Sequence, residues 1–189
     1  MLSPQAFLRS ATMFVWNRVS WWQFRAQYGG RPTLSTASEA IPIRHVVLIV
    51  DESIRGDHLS VNGYARPTTP WLDQLARAGQ LANWGVVSSA TWTSNDSVLC
   101  MLTGITALPD RDRRTLTAPT IFQFAKAMRY QTHLFDGGAR QLRFGFDFVD
   151  LKAIDDWGTR DRFGNDMEID FRIAREVARL LELPRGASN

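Results

Sequence analysis

The sequence predicts an α/β fold, a mostly parallel sheet flanked by helices, on three observations. His45 to Val50 is a continuous apolar, β-branched run, too short for a helix and closed by Asp51 and Glu52, which is how a fully buried parallel strand reads. Strand-like and helix-like stretches then alternate, the layout of helices packed on a sheet. The last of them, Asp166 to Leu183, is the clearest helix: Ile169, Ile173, Val177, Leu180 and Leu181 make one face, and Arg172, Arg175, Glu176 and Arg179 the other.

The chain divides into three parts. Within residues 1–28, Phe7, Phe14, Trp16, Trp21, Trp22, Phe24 and Tyr28 interleave with Arg18 and Arg25, an amphipathic helix suited either to a membrane surface or to packing on the domain itself. No run approaches the roughly 18 apolar residues a bilayer span needs, and no small-residue cleavage site marks a secretory signal. Residues 29–43, opening GGRPTLSTASEAIP, read as a linker. The compact domain is expected over 44–189.

Inside that domain, Thr69 to Ala78 predicts a helix capped by Thr68 or Thr69, with Pro70 in its first turn. Leu81 to Ser89 reads as a strand, and Asp96 to Thr103 as a helix stopped by Gly104. Pro119 to Arg129 reads as a helix, Thr132 to Phe135 as a strand running into Asp136-Gly137-Gly138, and Phe146 to Leu151 as a short apolar segment.

At 189 residues with 44% hydrophobic content the chain has material for one ordinary core. The net charge of +3 is small and its basic residues are scattered among acids, so nucleic acid is not an expected partner. Cys100 is the single cysteine and has no internal disulfide partner.

Two stretches carry the chemistry. Residues 50–70 read VDESIRGDHLSVNGYARPTTP, and residues 88–104 read SSATWTSNDSVLCMLTG. The first puts Asp51 and Glu52 at the C-terminal end of the expected strand, the end at which open α/β sheets bind ligands. Taken alone, Ser94 in the second reads as an ordinary helix N-cap. Arg55 and Arg66 suit either phosphate or nearby acids. His45, His58 and His133 share no metal-ligand spacing and read as structural.

Together the stretches resemble the phosphoethanolamine transferases of the alkaline phosphatase and sulfatase superfamily. In that pattern an apolar strand ends in G-E-T-x-R and continues into L-N-G-Y-x-R-x-T-N-P; Glu52-Ser53, Arg55, Asn62-Gly63-Tyr64, Arg66, Thr68 and Pro70 fall on those positions. Ser97-Val98-Leu99-Cys100-Met101 falls on the S-V-P-C-M tail of the nucleophile turn, which puts Ser94 at the nucleophile position. The resemblance implies Glu52 and Ser94 as ligands of a divalent ion, zinc by family habit, with Asp51 a further candidate, and Arg55, Arg66 and Asn62 as substrate contacts. It implies a phospholipid donor, a glycan or lipid acceptor, and a place on the periplasmic face of the inner membrane. Asp170 falls near a family aspartate. The family's partner for Cys100 would lie at Ala90, so that disulfide is not expected.

The chemistry needs no family name. A hydroxyl beside a bound divalent ion loses its proton near neutral pH; at a helix start it also lies among free backbone N–H groups that stabilise developing phosphoryl charge. A covalent phosphoserine-type intermediate follows. The match covers roughly 44–183, and no S-D-H-G-like segment occurs in the chain, so the expectation is the N-terminal part of such a domain, inactive and loosely metal-binding by itself. Two alternatives stand beside this one: a sulfuric or phosphoric ester hydrolase of the same superfamily, although Ser94 to Val98 lacks the proline and arginine of a sulfatase site, and a non-catalytic truncated product.

Overall fold

The computed structural model describes residues 31–37, 43–106, 114–138, 151–164 and 166–183. The amphipathic stretch at 4–28 and the apolar segment at 146–151, save Leu151, lie outside them. In chain order the described elements are two 3₁₀ turns, Gly56–His58 and Ser60–Asn62, and helices α1 (Pro70–Arg77), α2 (Ser94–Thr103), α3 (Arg114–Thr117) and α4 (Ile121–Ala127). Strands β1 (His133–Phe135) and β2 (Asp156–Gly158) and helices α5 (Arg160–Phe163) and α6 (Ile169–Glu182) complete them.

Helix boundaries follow local chemistry. Thr120 caps α4 in a capping box with Gln123: Phe122 N donates to Thr120 Oγ1 at 3.3 Å and Thr120 N donates to Gln123 Oε1 at 2.8 Å. That starts α4 two residues inside the predicted Pro119, and Arg129 at φ 64° turns the chain out of it. Gly104 ends α2 as predicted, at φ 70° with its N–H on Cys100 O. Before α6, Asp166 Oδ1 accepts the N–H of Glu168 at 2.9 Å, so the helix proper begins at Ile169.

β1 and β2 pair in parallel, His133 opposite Asp156, Leu134 opposite Trp157 and Phe135 opposite Gly158. A knot of hydrogen bonds fixes their N-terminal ends. The Thr132 hydroxyl donates to Ala153 O at 2.8 Å, Thr132 N donates to Asp155 Oδ2 at 2.8 Å, and Asp155 N donates back to Thr132 O at 3.0 Å. β2 was not expected from sequence. Its Gly158 is required by packing, since a Cβ there would lie 2.6 Å from the Phe163 ring.

Leu102 of α2, Phe122 of α4, and Ala153 and Ile154 ahead of β2 form the buried core, with Val98, Leu134 and Leu151 packed on it. α2 is therefore held by its apolar side against the unit that carries the sheet. α6 is tied to that unit by Arg162, which bridges Asp156 at 2.7 Å and Glu176 at 3.0 Å while its guanidinium lies over the rings of Phe135 and Phe163. The stretch read as linker is fastened too: buried Arg31 donates to Thr115 O at 2.8 Å and to Ala118 O at 2.5 Å.

The expected buried strands at 45–50 and 81–89 are not formed. Neither run is assigned to a strand or makes a backbone–backbone hydrogen bond among the described residues, and Val46 and Ile49 are 75% and 80% exposed. Apolar, β-branched composition gives a run the propensity for a strand, but the strand exists only with a neighbour to receive its N–H and C=O groups. α/β character is retained in the parallel β1–β2 pair and its helices.

Candidate active site

The site is built where the end of the 43–50 run meets the start of α2. Thr93 is the N-cap of α2: its backbone is extended, its hydroxyl accepts the Asp96 N–H at 3.4 Å and donates to Asp96 Oδ2 at 2.7 Å. Ser94 is thus not the cap but the first helical residue, and its hydroxyl is released for another partner. It donates to Glu52 Oε1 at 2.7 Å, across 42 positions of sequence. Ser97, one turn further, is occupied by structure, its hydroxyl donating to Thr91 O at 3.0 Å. Of the three hydroxyls at this turn, Ser94 alone faces a carboxylate outside its own segment.

Ser94 also stands in the first turn of a ten-residue helix, where backbone N–H groups lack intrahelical partners and the helix dipole favours negative charge. A hydroxyl and a helix start with free N–H groups therefore coincide at one point, the parts that an oxygen nucleophile and an anion cradle require. The carboxylate is delivered from an exposed bend: Asp51, Glu52 and Ser53 are all exposed, and Ser53 has φ 59°, in the left-handed region.

The segment after Glu52 is locked by its own polar groups. Asn62 is engaged at both ends of its amide, donating to Gly56 O at 2.7 Å and accepting from Asn83 Nδ2 at 2.9 Å. The Ser60 hydroxyl donates to Asp73 Oδ2 at 2.7 Å and accepts the Thr69 N–H at 2.9 Å, while Thr69 Oγ1 accepts Val61 N–H at 3.1 Å. That is why Thr69, at the N-cap of α1, makes no side-chain cap bond of its own. His58 stacks on Tyr64 with centroids 4.7 Å apart.

Arg55 is paired with Asp57 through two hydrogen bonds of 3.0 and 2.6 Å. The hydrogen bond raises the guanidinium and holds the Asp57 carboxyl below its ordinary value; both groups are exposed, so the pair adds little to stability. Arg66 is exposed. Asp170 lies in the first turn of α6, its carboxylate against Gly137, and Cys100 is buried in α2. The cap at Thr93 and the Ser60–Thr69–Asp73 fastening were not foreseen, though a threonine before a helix with aspartate three residues on is a legible cap signal.

Glu52 and Ser94 offer a divalent ion two oxygens 2.7 Å apart, with Asp51 the next residue. Among the described residues no group of three or more His, Cys, Asp or Glu is gathered to hold a metal ion. The residues on hand fit part of a ligand set, since a tight zinc site takes about four donors.

A family model described as Sulfatase matches residues 44–182, well over half of the chain, and the chain belongs to that family. It is similar to the phosphatidylethanolamine transferase Mcr-2 of Escherichia coli, 45% identical over 58 residues, which are 31% of this chain and 10% of that protein. The Kdo(2)-lipid A phosphoethanolamine 7''-transferase of Escherichia coli strain K12 is 32% identical over 99 residues, 52% of this chain and 17% of that protein. Phosphatidylethanolamine transferase Mcr-1 of Escherichia coli is 43% identical over 58 residues, 31% of this chain and 10% of that protein. The chain therefore spans 10% to 17% of the length of these relatives.

Proposed function

We propose that this chain carries the nucleophile half of a phosphoethanolamine transferase site, with Ser94 as the attacking residue and Glu52 as its carboxylate partner. The observation that carries the proposal is the 2.7 Å hydrogen bond from the Ser94 hydroxyl to Glu52 at the start of α2. Ser94 Oγ attacks the phosphorus of an aminophospholipid, its proton leaving along the hydrogen bond to Glu52. The bond from phosphorus to the diacylglycerol oxygen breaks, and that oxygen takes the proton Glu52 received, which returns Glu52 to its carboxylate. A hydroxyl of a glycan or lipid acceptor then attacks the phosphoserine, transfers the group and returns a proton to Ser94 Oγ. Free N–H groups of the first turn of α2 hold the phosphoryl oxygens throughout.

Glu52 and Ser94, with Asp51 beside them, are the residues that would hold a divalent ion, zinc in this reading. Once bound, it supplies Lewis-acid stabilisation of the nucleophile's oxyanion. Arg55, Arg66 and Asn62 are the candidate substrate contacts by their motif positions; Arg55 would have to exchange Asp57 for phosphate, and Asn62 its bonds to Gly56 and Asn83. We place the reaction at the periplasmic face of the inner membrane. The aromatic and arginine residues of the 4–28 stretch suit it to contact with that membrane surface; among the described residues no helix is long and apolar enough to cross a membrane.

A phospholipid labelled in its headgroup tests this in a single turnover. In an enzyme whose metal-ligand set is complete, label is expected to stay on Ser94 and to be absent from the Ser94→Ala variant. Equal labelling of both would refute the assignment, and label released into water without an acceptor would favour the ester-hydrolase reading.

A further inference from the structure

We infer that Ser53 is a positioning residue of this site, one whose left-handed backbone, not its hydroxyl, aims Glu52 at Ser94. The inference rests on the reading of Glu52 and Ser94 as the reacting pair. Ser53 has φ 59° and Arg129 φ 64°, and these are the two non-glycine residues with positive φ among those described. Arg129 terminates a helix, where left-handed residues are common. Ser53 terminates nothing of the kind: it directly follows the residue whose carboxylate reaches α2.

The left-handed conformation is sterically disfavoured for an L-residue with a Cβ, and serine has little of the local compensation available to asparagine. The Ser53 side chain is exposed and makes no hydrogen bond among the described residues, so nothing it touches explains the conformation. Its two neighbours are held instead. Upstream, Glu52 is held by Ser94. Downstream, the Gly56–His58 turn is held by Asn62, which is in turn braced by Asn83. Ser53 turns the chain between these two tethers, so its backbone torsion sets the direction from which Glu52 reaches Ser94. The strain therefore sits between two fixed points, one of them the proposed nucleophile's partner, the usual setting of backbone strain at a functional site.

Substitutions that differ in tolerance for positive φ separate backbone from side chain. Ser53→Gly and Ser53→Asn accept the left-handed region and are expected to keep the nuclear Overhauser contact between the Glu52 and Ser94 side chains. Ser53→Val disfavours it, and the population with that contact should drop on the order of tenfold. Ser53→Ala should fall between, which keeps the order testable if the valine variant does not fold; helix content by circular dichroism reports that. Single-turnover labelling of Ser94 should follow the same order. Loss of the contact in Ser53→Gly and Ser53→Asn as well as in Ser53→Val would assign the role to the hydroxyl, and retention in a folded Ser53→Val would remove it altogether; either overturns the inference. No labelling of Ser94 in an enzyme whose metal-ligand set is complete refutes the catalytic reading instead, and leaves the Overhauser contact to judge Ser53.

Discussion

The unit from Arg114 to Glu182 and the segment from Ile43 to Gly104 that brings the site together solve the same problem differently. In the first, two three-residue strands find each other, and a threonine–aspartate knot, an arginine bridge and a capped helix hold them. In the second, the strand-like run His45 to Val50 pairs with none of the described residues, and polar loop fastenings together with the packing of α2 position Glu52 and Ser94. Pairing is thus decided by what lies opposite a run, not by how strongly the run resembles a strand. The site is assembled from side-chain contacts and one bend, so its geometry depends on single residues more than that of the sheet does.

Hydrogen exchange should show the widest contrast. Amides of His133 to Phe135 and Asp156 to Gly158 are expected to be protected by orders of magnitude over those of His45 to Val50 and Gly85 to Ser89. Equal protection in both would mean that the apolar runs are paired in solution, and would erase the difference between the two regions.

Truncation reads the same contrast as stability. Leu102→Ala removes a buried core side chain and should cost about 2–5 kcal/mol, whereas Ile49→Ala, at a position 80% exposed, should stay within about 0.5 kcal/mol. Denaturant melts of both variants check it; a large loss at Ile49 would place that run in a packed interior.

Acid sharpens it further. Burial pushes the Asp155 carboxyl up, but hydrogen bonds from Lys126 and from the Thr132 N–H and hydroxyl outweigh it and hold the group below its ordinary value. Glu176 is held low chiefly by Arg179. A carboxyl depressed on folding adds stability that is present above its unfolded value and is lost as pH falls through the folded one. Stability should therefore decline below about pH 4, and Asp155→Asn should flatten that decline while costing about 1–3 kcal/mol at neutral pH through its disrupted hydrogen bonds. An unchanged acid profile in the variant would remove Asp155 from the account.

The smallest effect on the fold is expected at the site. Glu52→Gln keeps the side-chain shape at an exposed position and should leave the melting curve within about 0.5 kcal/mol of wild type, while lowering zinc uptake measured by equilibrium dialysis. Unchanged uptake would exclude Glu52 as a ligand.

Much of this was legible in the residues because it is local. Pro70 at a helix start, Gly104 at a helix end and the amphipathic α6 are signals carried within one turn. Glu52 and Ser94 were paired by motif before any geometry. β2 was not legible, since Asp-Trp-Gly is no apolar run and becomes a strand only by lying against β1. The exposure of 45–50 was hidden for the converse reason: its composition speaks for a strand, and the missing neighbour is no property of the run. The left-handed backbone at Ser53 was likewise invisible, because serine carries no preference for it.

The most direct test of the central claim is to map where a phosphoryl group settles. After a single turnover with an aminophospholipid in an enzyme whose metal-ligand set is complete, tandem mass spectrometry of the peptide spanning Thr91 to Met101 should find the phosphoethanolamine adduct on Ser94. An adduct on Thr93 or Ser97, whose hydroxyls are engaged in the cap and with Thr91, would contradict it.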